Sequence, residues 1–463
     1  MLRSILSAAA EPPDLLYARS QMALSLGWHI VIACFGVGFP SMVIFAEWRA
    51  RRKDDADLLA LAHTWAKAMG VLFAVGAVSG TILSFEMGML WPGLMSRFGE
   101  IYGFPFTLEG FAFFIEAIFV GIYLFGWDRL SPRAHLLAGL PMVVSGMAGA
   151  FFVVAANAWM NNPDGFTIRD GEIVDVDPWA SLTNPMTAPQ TVHMLLAAVM
   201  VTGFTVASVY AVGMLRGRRS RYHRAGLLIP LTAAAIATPI QIGVGDWIAE
   251  SVAHHQPVKL AAMEGLTETS TGVPLSLGGI YVDGELRGAI RIPYGLSLLV
   301  DRRPSGEVQG LDIVPEELRP PVNIVHLSYN AMIGIGTALL GLSLWFGLVW
   351  WRRRDLPGGR WTRWFLRAVA LSGIGAVIAL ETGWTATEVG RQPWIVYEIQ
   401  LTRDAVSTAP GLRYGFYAVV IVYLILTGMT WYVLRRLAGH HDALAPQEHE
   451  PAPTDDVVAD AAK

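Results

Sequence analysis

The sequence is poor in cysteine and in charge. It holds one cysteine, Cys34, among 463 residues, which excludes disulfides and any zinc or iron–sulfur site built from several cysteines of this chain. Only 16% of the residues are charged and the net charge is -4, so neither nucleic acid nor a strongly anionic partner is indicated. Hydrophobic residues make up 53% of the chain. This balance excludes an ordinary soluble domain and predicts a membrane protein with several spans.

Long apolar runs recur from one end of the chain to the other. Each contains about 20 mostly apolar residues, the length needed to cross the hydrocarbon core of a bilayer as a helix. The runs cover residues 22–46, 66–90, 106–125, 137–159, 192–215, 225–248, 325–351, 365–387 and 414–434. The sequence therefore predicts an all-α bundle of about nine transmembrane helices.

Basic residues alternate between the loops that join these runs. Lysine and arginine concentrate after the first, third, fifth, seventh and last runs, as at residues 49–53, 216–224 and 352–367, whereas residues 164–177 are acidic. Basic loops stay in the cytoplasm by the positive-inside rule. We therefore expect an outward N-terminus, a cytoplasmic C-terminus and a multi-pass protein of the bacterial cytoplasmic (inner) membrane.

The predicted helices divide the chain into four parts. Residues 1–248 hold helices one to six and residues 325–437 hold helices seven to nine. The outward loop between them, residues 249–324, is too long for a simple connection and contains a hairpin signal at Asp283 and Gly284, which predicts a small extracytoplasmic subdomain. Residues 438–463 are rich in Ala, Pro, Asp and Glu without periodicity and are predicted to be a disordered cytoplasmic tail.

Glu109, Glu116 and Glu381 lie within apolar runs, where a carboxylate costs about 2.5 to 3.5 kcal/mol on insertion scales and is expected to have a function. Glu381 is followed by a dense polar cluster that includes Trp384, Glu388 and Arg391. Glu109 and Glu116 are seven residues apart, which places both on one helix face about 10 Å apart. They predict a proton path; the alternative is that each pairs with a basic group at a helix end.

His29 and His193 are the histidines best placed to bind a haem iron from within the membrane. A structural histidine bonded to a neighbouring helix is the alternative interpretation of His29. Met332 lies in the seventh run, and a His–Met pair is a known axial set that raises the potential of a low-spin haem. His326, on the same helix, is a rival ligand.

The outward loop contains Lys259 and Glu264, a cation and a carboxylate that could bind a hydroxyl group and accept its proton near the membrane surface. The alternative interpretation is a solvated surface helix.

Several of these residues fall in motifs typical of one family. The sequence resembles subunit I of the bd-type quinol oxidases, including the cyanide-insensitive group, over almost its whole length. The motifs are GRQPW at 390–394 after Glu381, LEG at 108–110 with Glu116, GWDR at 126–129, ANAWMNNP at 156–163 and KLAAME at 259–264.

The resemblance implies a set of haem ligands. His193 and Met332 would hold a low-spin haem b, while His29 and Glu381 would ligate the two haems of a dioxygen-reducing site. Those two would be a high-spin haem b and either haem d or a further haem b. Other residues expected to bind the cofactors are Asn157, Trp384 and Arg391.

The resemblance also implies a reaction. Lys259 and Glu264 would contact quinol in the so-called Q-loop, and Glu109 and Glu116 would supply protons. Quinol would be oxidised on the outer side and dioxygen reduced to water with cytoplasmic protons, which generates proton-motive force without pumping. A second large membrane subunit and a small accessory subunit are the expected partners.

Two features depart from the family pattern. Asn330 stands two positions before Met332, where members usually carry a basic residue, and the loop is shorter than in the long-loop branch. Two alternative functions stay open at this point: a membrane haem-b subunit that exchanges electrons with quinone without oxygen chemistry, and an ion-coupled transporter.

Overall fold

The computed structural model describes residues 12, 14–356 and 359–444, with side chains as far as residue 438. Nine helices in this part of the chain are long and apolar enough to cross a membrane, which confirms the predicted helical bundle. In a numbering that includes the short helices, they are α1 Leu15–Lys53, α2 Ala56–Leu90, α3 Pro92–Phe125, α4 Pro132–Asn161, α6 Thr187–Leu215, α7 Arg221–His255, α10 Val322–Arg353, α11 Arg360–Val389 and α13 Leu412–Leu444. The short helices are α5 Ala180–Thr183, α8 Pro257–Glu264, α9 Gly295–Asp301 and α12 Thr402–Ala405.

The long helices begin and end at residues suited to helix termini. Asp55 caps α2 by accepting a hydrogen bond from the Leu58 N–H at 3.1 Å, and the Ser131 hydroxyl accepts from the Ala134 N–H at 3.4 Å at the start of α4. Proline occupies the first turn of α3 and of α4, where its missing N–H costs nothing. Three basic residues in the last turn of α1 suit the negative end of the helix dipole.

Each predicted run lies inside one long helix. The tail predicted to be disordered begins at residue 438; α13 continues to Leu444, and residues 445–463 lie outside the described residues.

Ten short strands form five antiparallel pairs outside the long helices. Between α7 and α10, β3 Ser270–Thr271 pairs with β8 Glu307–Val308, β4 Leu275–Leu277 with β7 Ile290–Ile292, and β5 Ile280–Val282 with β6 Glu285–Arg287. Elsewhere β1 Thr167–Arg169 pairs with β2 Glu172–Val174, and β9 Trp394–Val396 with β10 Gln400–Leu401. The β5–β6 turn is Asp283 and Gly284 at φ of 52° and 82°, the two-residue hairpin that the sequence predicts.

Helices α1 and α6 occupy the middle of the bundle. Helix α1 packs against α2, α4, α6 and α13, and α6 packs against α4, α7 and α11 as well as α1. The outer faces remain apolar: Phe111, Phe114 and Ile118 of α3 are all at least 60% exposed. A bundle that is apolar inside and outside is suited to lipid rather than water.

Ion pairs join three of the basic loops to one another at one end of the bundle. Arg221 contacts Asp55 at 2.8 Å, and Arg224 contacts Asp355 at 2.5 Å. The loops that follow α1, α6 and α10 therefore share one end. Because α7 runs from Arg221 to His255, α8 begins at the opposite end of the bundle.

Candidate haem and quinol sites

His29 in α1 has one ring nitrogen fixed by the neighbouring helix. Its Nδ1 lies 2.8 Å from the Ser79 hydroxyl, which itself donates to the Gly76 carbonyl at 3.0 Å. When the Ser79 hydroxyl donates to Gly76, it accepts from a protonated Nδ1, and Nε2 then keeps its lone pair. The ring packs closely on Gly80, where a Cβ would lie 3.2 Å from the His29 Cε1. Histidines that bind metals typically have their other ring nitrogen held by a hydrogen bond of this kind.

Glu381 in α11 lies close to the same stretch of α1. A Cβ on Gly27 would lie 3.1 Å from Glu381 Oε2 and 3.9 Å from the Trp384 ring. Glu381 Oε1 is buried and has no hydrogen-bond partner among the described residues. The structure thus brings Glu381 and Trp384 next to the turn of α1 that carries His29. A buried carboxylate oxygen without a partner requires a cation or a donor, which a haem iron would supply.

Met332 lies on the other side of α11, and His193 lies beside α7. The His193 Nδ1 is buried without a partner in the described part of the chain, and a Cβ on Gly245 of α7 would lie 4.0 Å from its Cε1. The Met332 sulfur projects onto Gly383, where a Cβ would lie only 2.6 Å from it. Because Glu381 and Gly383 are two residues apart, they face opposite sides of α11. Helix α11 therefore stands between two candidate ligand sites.

These donors fit haem better than a bare metal ion. The described residues contain no cluster of three or more His, Cys, Asp or Glu side chains that could hold a metal ion. A haem brings four ligands of its own and needs only axial ones from the protein, such as imidazole and thioether.

His326 does not offer a nitrogen to iron in this structure. Its Nδ1 lies 2.7 Å from the Met263 carbonyl oxygen and its Nε2 lies 3.0 Å from the Gly278 carbonyl oxygen. Asn330 also contacts Gly278, because its Oδ1 accepts from the Gly278 N–H at 2.8 Å. Both side chains therefore attach the segment between α7 and α10 to α10, and the Met332 sulfur is left as a candidate iron ligand on that helix.

Glu109 and Glu116 of α3 have no ion-pair partner among the residues that the structure describes. Glu116 faces α1 and α4, since its Oε1 would lie 3.2 Å from a Cβ on Gly146 and 3.8 Å from one on Gly36. Gly36 is seven residues after His29, two turns nearer the basic end of α1. The arrangement suits a path that leads from that end toward His29.

Lys259 and Glu264 are not on a solvated surface helix. They are 2% and 3% exposed, and the rest of α8 from Val258 onward is buried with them. Lys259 Nζ donates to Asn161 Oδ1 at 2.7 Å. Glu264 Oε2 accepts from the Ser276 N–H at 3.3 Å, while its Oε1 has no partner in the described chain.

Burial changes the ionisation of both side chains. Burial raises the pKa of the Glu264 carboxyl to about 7, although hydrogen bonds from the Ser276 N–H and the Tyr329 hydroxyl act to lower it. Burial and the nearby Arg391 hold the pKa of Lys259 well below its usual range, and Glu388 acts in the opposite direction. Both groups can therefore exchange protons closer to neutral pH than they would in water.

Asn157 and Arg391 meet at a residue to which the sequence analysis assigned no role. Asn157 Nδ2 donates to Glu388 Oε1, and Arg391 Nη2 donates to Glu388 Oε2 at 2.5 Å. Arg391 is 3% exposed, and its Nε and Nη1 are buried without partners in the described part of the chain. Two free guanidinium donors fit an anion such as a haem propionate. The sequence could not predict the contact between Asn157 and Glu388, because the two residues are 231 positions apart.

The sequence matches the family "Cytochrome bd terminal oxidase subunit I" over residues 17–442. The chain belongs to this family. A "Putative cytochrome bd menaquinol oxidase subunit I" of Bacillus subtilis (strain 168) is 37% identical over 427 residues, which cover 91% of this chain and 96% of that protein. A "Cytochrome bd ubiquinol oxidase subunit 1" of the same organism is 29% identical over 453 residues, covering 93% and 96%.

A solved structure shows the same fold. The bd oxidase from Geobacillus thermodenitrificans matches with a TM-score of 0.87 and 35% identity, over 93% of this chain and 100% of that chain. The predicted family, fold class and enzyme class are thereby confirmed. This chain is a multi-pass membrane subunit of a haem-containing terminal oxidase.

Proposed function

We propose that this subunit binds three haems and oxidises quinol for the reduction of dioxygen to water. The observation that carries the proposal is the arrangement around α11, where Glu381 faces the His29 turn of α1 and Gly383 faces Met332. We assign His193 and Met332 to a low-spin haem b. We assign His29 and Glu381 to the two haems of the oxygen site, a high-spin haem b and either haem d or a further haem b. When bound, these groups carry the electrons and the oxygen chemistry.

The protein contributes binding and proton access. Lys259 and Glu264 bind quinol, with Glu264 in its carboxylate form accepting a proton from the quinol hydroxyl. Glu116 and Glu109 hold protons on the way to the oxygen site. Trp384 packs beside Glu381, and Arg391 with Asn157 contacts a haem edge.

The two half-reactions take place on opposite sides of the membrane. The basic loops after α1, α6 and α10 share one end, which we assign to the cytoplasm. Quinol protons are then released outside from the segment that holds α8, and protons for water come from inside. The reaction therefore separates charge across the membrane without pumping protons. The same orientation places the N-terminus outside and the C-terminus inside, in a bacterial inner membrane.

The proposal extends to organisation and partners. Residues 249–324 form the extracytoplasmic quinol-binding unit between two groups of helices, residues 1–248 and 325–437, and residues 438–463 form the cytoplasmic tail. A second large membrane subunit completes the enzyme, and a small accessory subunit accompanies it. Support comes from the name "subunit I" that the family and its relatives carry.

Difference spectra of the purified complex test the assignment of the haems. We expect a low-spin haem b, a high-spin haem that binds carbon monoxide, and a far-red chlorin band if haem d is present. His193→Ala should remove the low-spin signal and leave the carbon monoxide signal, whereas Glu381→Gln should change the carbon monoxide signal. A complex with low-spin haem alone would indicate an electron-transfer subunit, and a haem-free complex after adequate haem supply would refute the proposal.

A further inference from the structure

The imidazole of His326 links α10 to two parts of the segment between α7 and α10. Its Nδ1 lies 2.7 Å from the Met263 carbonyl oxygen near the end of α8, and its Nε2 lies 3.0 Å from the Gly278 carbonyl oxygen just after β4. The side chain is fully buried. One ring on a membrane helix therefore holds two separate stretches of backbone.

These two stretches carry and contact Glu264. Met263 directly precedes Glu264 in α8. Gly278 follows β4, whose Ser276 N–H donates to Glu264 Oε2 at 3.3 Å. Because His326 contacts both stretches, it fixes the Glu264 carboxyl relative to its hydrogen-bond donor.

Both contacts require a donor on the ring. Carbonyl oxygens only accept, and an imidazole carries an N–H on each nitrogen only when it is protonated. The geometry around His326 therefore suits an imidazolium, whose hydrogen bonds are stronger than those of a neutral ring. A ring with one proton would satisfy one carbonyl and leave the other buried without a donor, which is costly.

The same face of α10 adds two further contacts. Asn330 accepts from the Gly278 N–H at 2.8 Å, while its Nδ2 donates to the His326 carbonyl at 3.0 Å. The Tyr329 hydroxyl donates to Glu264. Positions 326, 329 and 330 share a helix face because residues three and four apart are neighbours on a helix. Of the three side chains, His326 is the one that contacts both stretches of backbone.

We propose that His326 is a positioning residue of the quinol site, which holds α8 and the chain after β4 together so that Glu264 stays aligned to accept the quinol proton. The inference rests on the proposed role of Glu264 in accepting that proton. Without the ring, the Met263 and Gly278 carbonyls lose their donors and the two stretches separate. Water then reaches the carboxyl, and its alignment with the quinol hydroxyl is lost.

Water at Glu264 would change its ionisation in a known direction. Burial is the main influence on this carboxyl and raises its pKa to about 7. The ionisable groups around it are Tyr329 and His326 of α10 and Lys259 of α8; β4 has no ionisable side chain, and the nearby Asp312 is exposed. Hydration therefore lowers the pKa of Glu264 toward that of an ordinary glutamate.

The pH dependence of quinol oxidation by the intact purified complex tests this role. We expect His326→Leu, which removes both donors, to lower kcat/KM for quinol about tenfold at pH 7. The pH below which kcat/KM falls should move about one unit lower than in the wild type. Amide hydrogen exchange should be faster in residues 264–278, and the low-spin haem spectrum should stay unchanged.

Asn323→Leu is the matched control. Asn323 also makes two hydrogen bonds from α10 to this segment, since its Oδ1 accepts from the Tyr281 N–H at 2.7 Å and its Nδ2 donates to the Tyr281 carbonyl at 2.8 Å. Tyr281 lies in β5, outside the two stretches that hold Glu264. The control should keep the wild-type pH profile. An equal shift in both variants would show a general loosening of the segment and overturn the inference.

The outcomes distinguish this inference from the proposed function. A wild-type complex that does not oxidise quinol, or a wild-type kcat/KM in Glu264→Gln, would overturn both. If Glu264→Gln loses activity while His326→Leu keeps the wild-type kcat/KM and pH profile, the inference alone fails. Loss of the low-spin haem from His326→Leu would identify the ring as an iron ligand and also refute the inference.

A second substitution decides the matter if His326→Leu does not assemble. The amide of His326→Gln keeps a donor for one of the two carbonyls. A lowered kcat/KM with the shifted pH profile in this variant supports the positioning role, and wild-type values refute it.

Discussion

At the scale of single residues, burial raises the pKa of Glu264, which suits the proton-accepting role that we propose for it. In water a glutamate is ionised far below neutral pH and is a poor acceptor for a quinol proton. In this protein the desolvation of the carboxyl outweighs the hydrogen bonds from Ser276 and Tyr329, so its pKa rises to about 7. The group is thereby suited to accept and release protons at physiological pH.

A pH profile tests this role. Since the pKa of Glu264 is raised, the protonated and inactive form accumulates below about pH 7. The kcat/KM for quinol should therefore fall about tenfold per pH unit as the pH drops below 7, and level off above it. Oxygen uptake with saturating and limiting quinol measures both parameters. Glu264→Gln should lower the plateau and abolish this limb; a variant that keeps the same limb would assign the titration to another group.

At the scale of helices, the sequence predicts the membrane-spanning part of each helix from its apolar run. It does not predict the polar turns that extend a helix beyond that run. The run at 22–46 belongs to α1, which spans Leu15–Lys53. The additional turns are polar at the basic end, where terminal charges rather than hydropathy stabilise the helix. The same limit applies to the sites. His29 and Glu381 can be singled out in the sequence because a polar group in an apolar run is unusual, whereas Asn161 gains its partner Lys259 only when α4 packs near α8.

Helix α9 shows how the segment between α7 and α10 is attached to the bundle. Arg302, at the end of α9, donates to Asp246 of α7 through two nitrogens, at 2.6 and 3.2 Å, and to Glu250 at 3.3 Å. All three side chains are exposed, so the attachment depends on charge and is screened by salt. It connects the segment that contains Lys259 and Glu264 to a membrane helix.

Arg302→Ala should loosen this attachment. We expect the KM for quinol to rise about twofold to fivefold, with kcat and the haem spectra unchanged, because exposed ion pairs contribute little each. Added salt should raise the KM of the wild type toward that of the variant, whose own KM should respond less. Arg287→Ala is the matched control, since Arg287 pairs with Asp283 inside the β5–β6 hairpin and does not reach α7. Equal effects of the two substitutions would show that net charge, and not the attachment, matters.

At the scale of the whole molecule, orientation in the membrane decides whether the reaction stores energy. The ion pairs Asp55–Arg221 and Arg224–Asp355 hold basic loops together at one end, and α8 begins at the other. If the basic end is cytoplasmic, quinol protons leave outside and the protons of water come from inside. The opposite orientation would reverse that charge movement and dissipate the gradient.

Cysteine labelling reports this orientation directly, because Cys34 is fully buried and the chain offers no other thiol. Glu317→Cys places a thiol between α7 and α10, and Arg219→Cys places one between α6 and α7; both positions are exposed. In intact cells a membrane-impermeant maleimide should label the first and not the second, whereas permeabilised cells should show both. The unsubstituted chain, separated from its partners before detection, should stay unlabelled throughout. Labelling of Arg219→Cys alone in intact cells would place the basic loops outside and quinol oxidation inside, which is the wrong side for conserving energy.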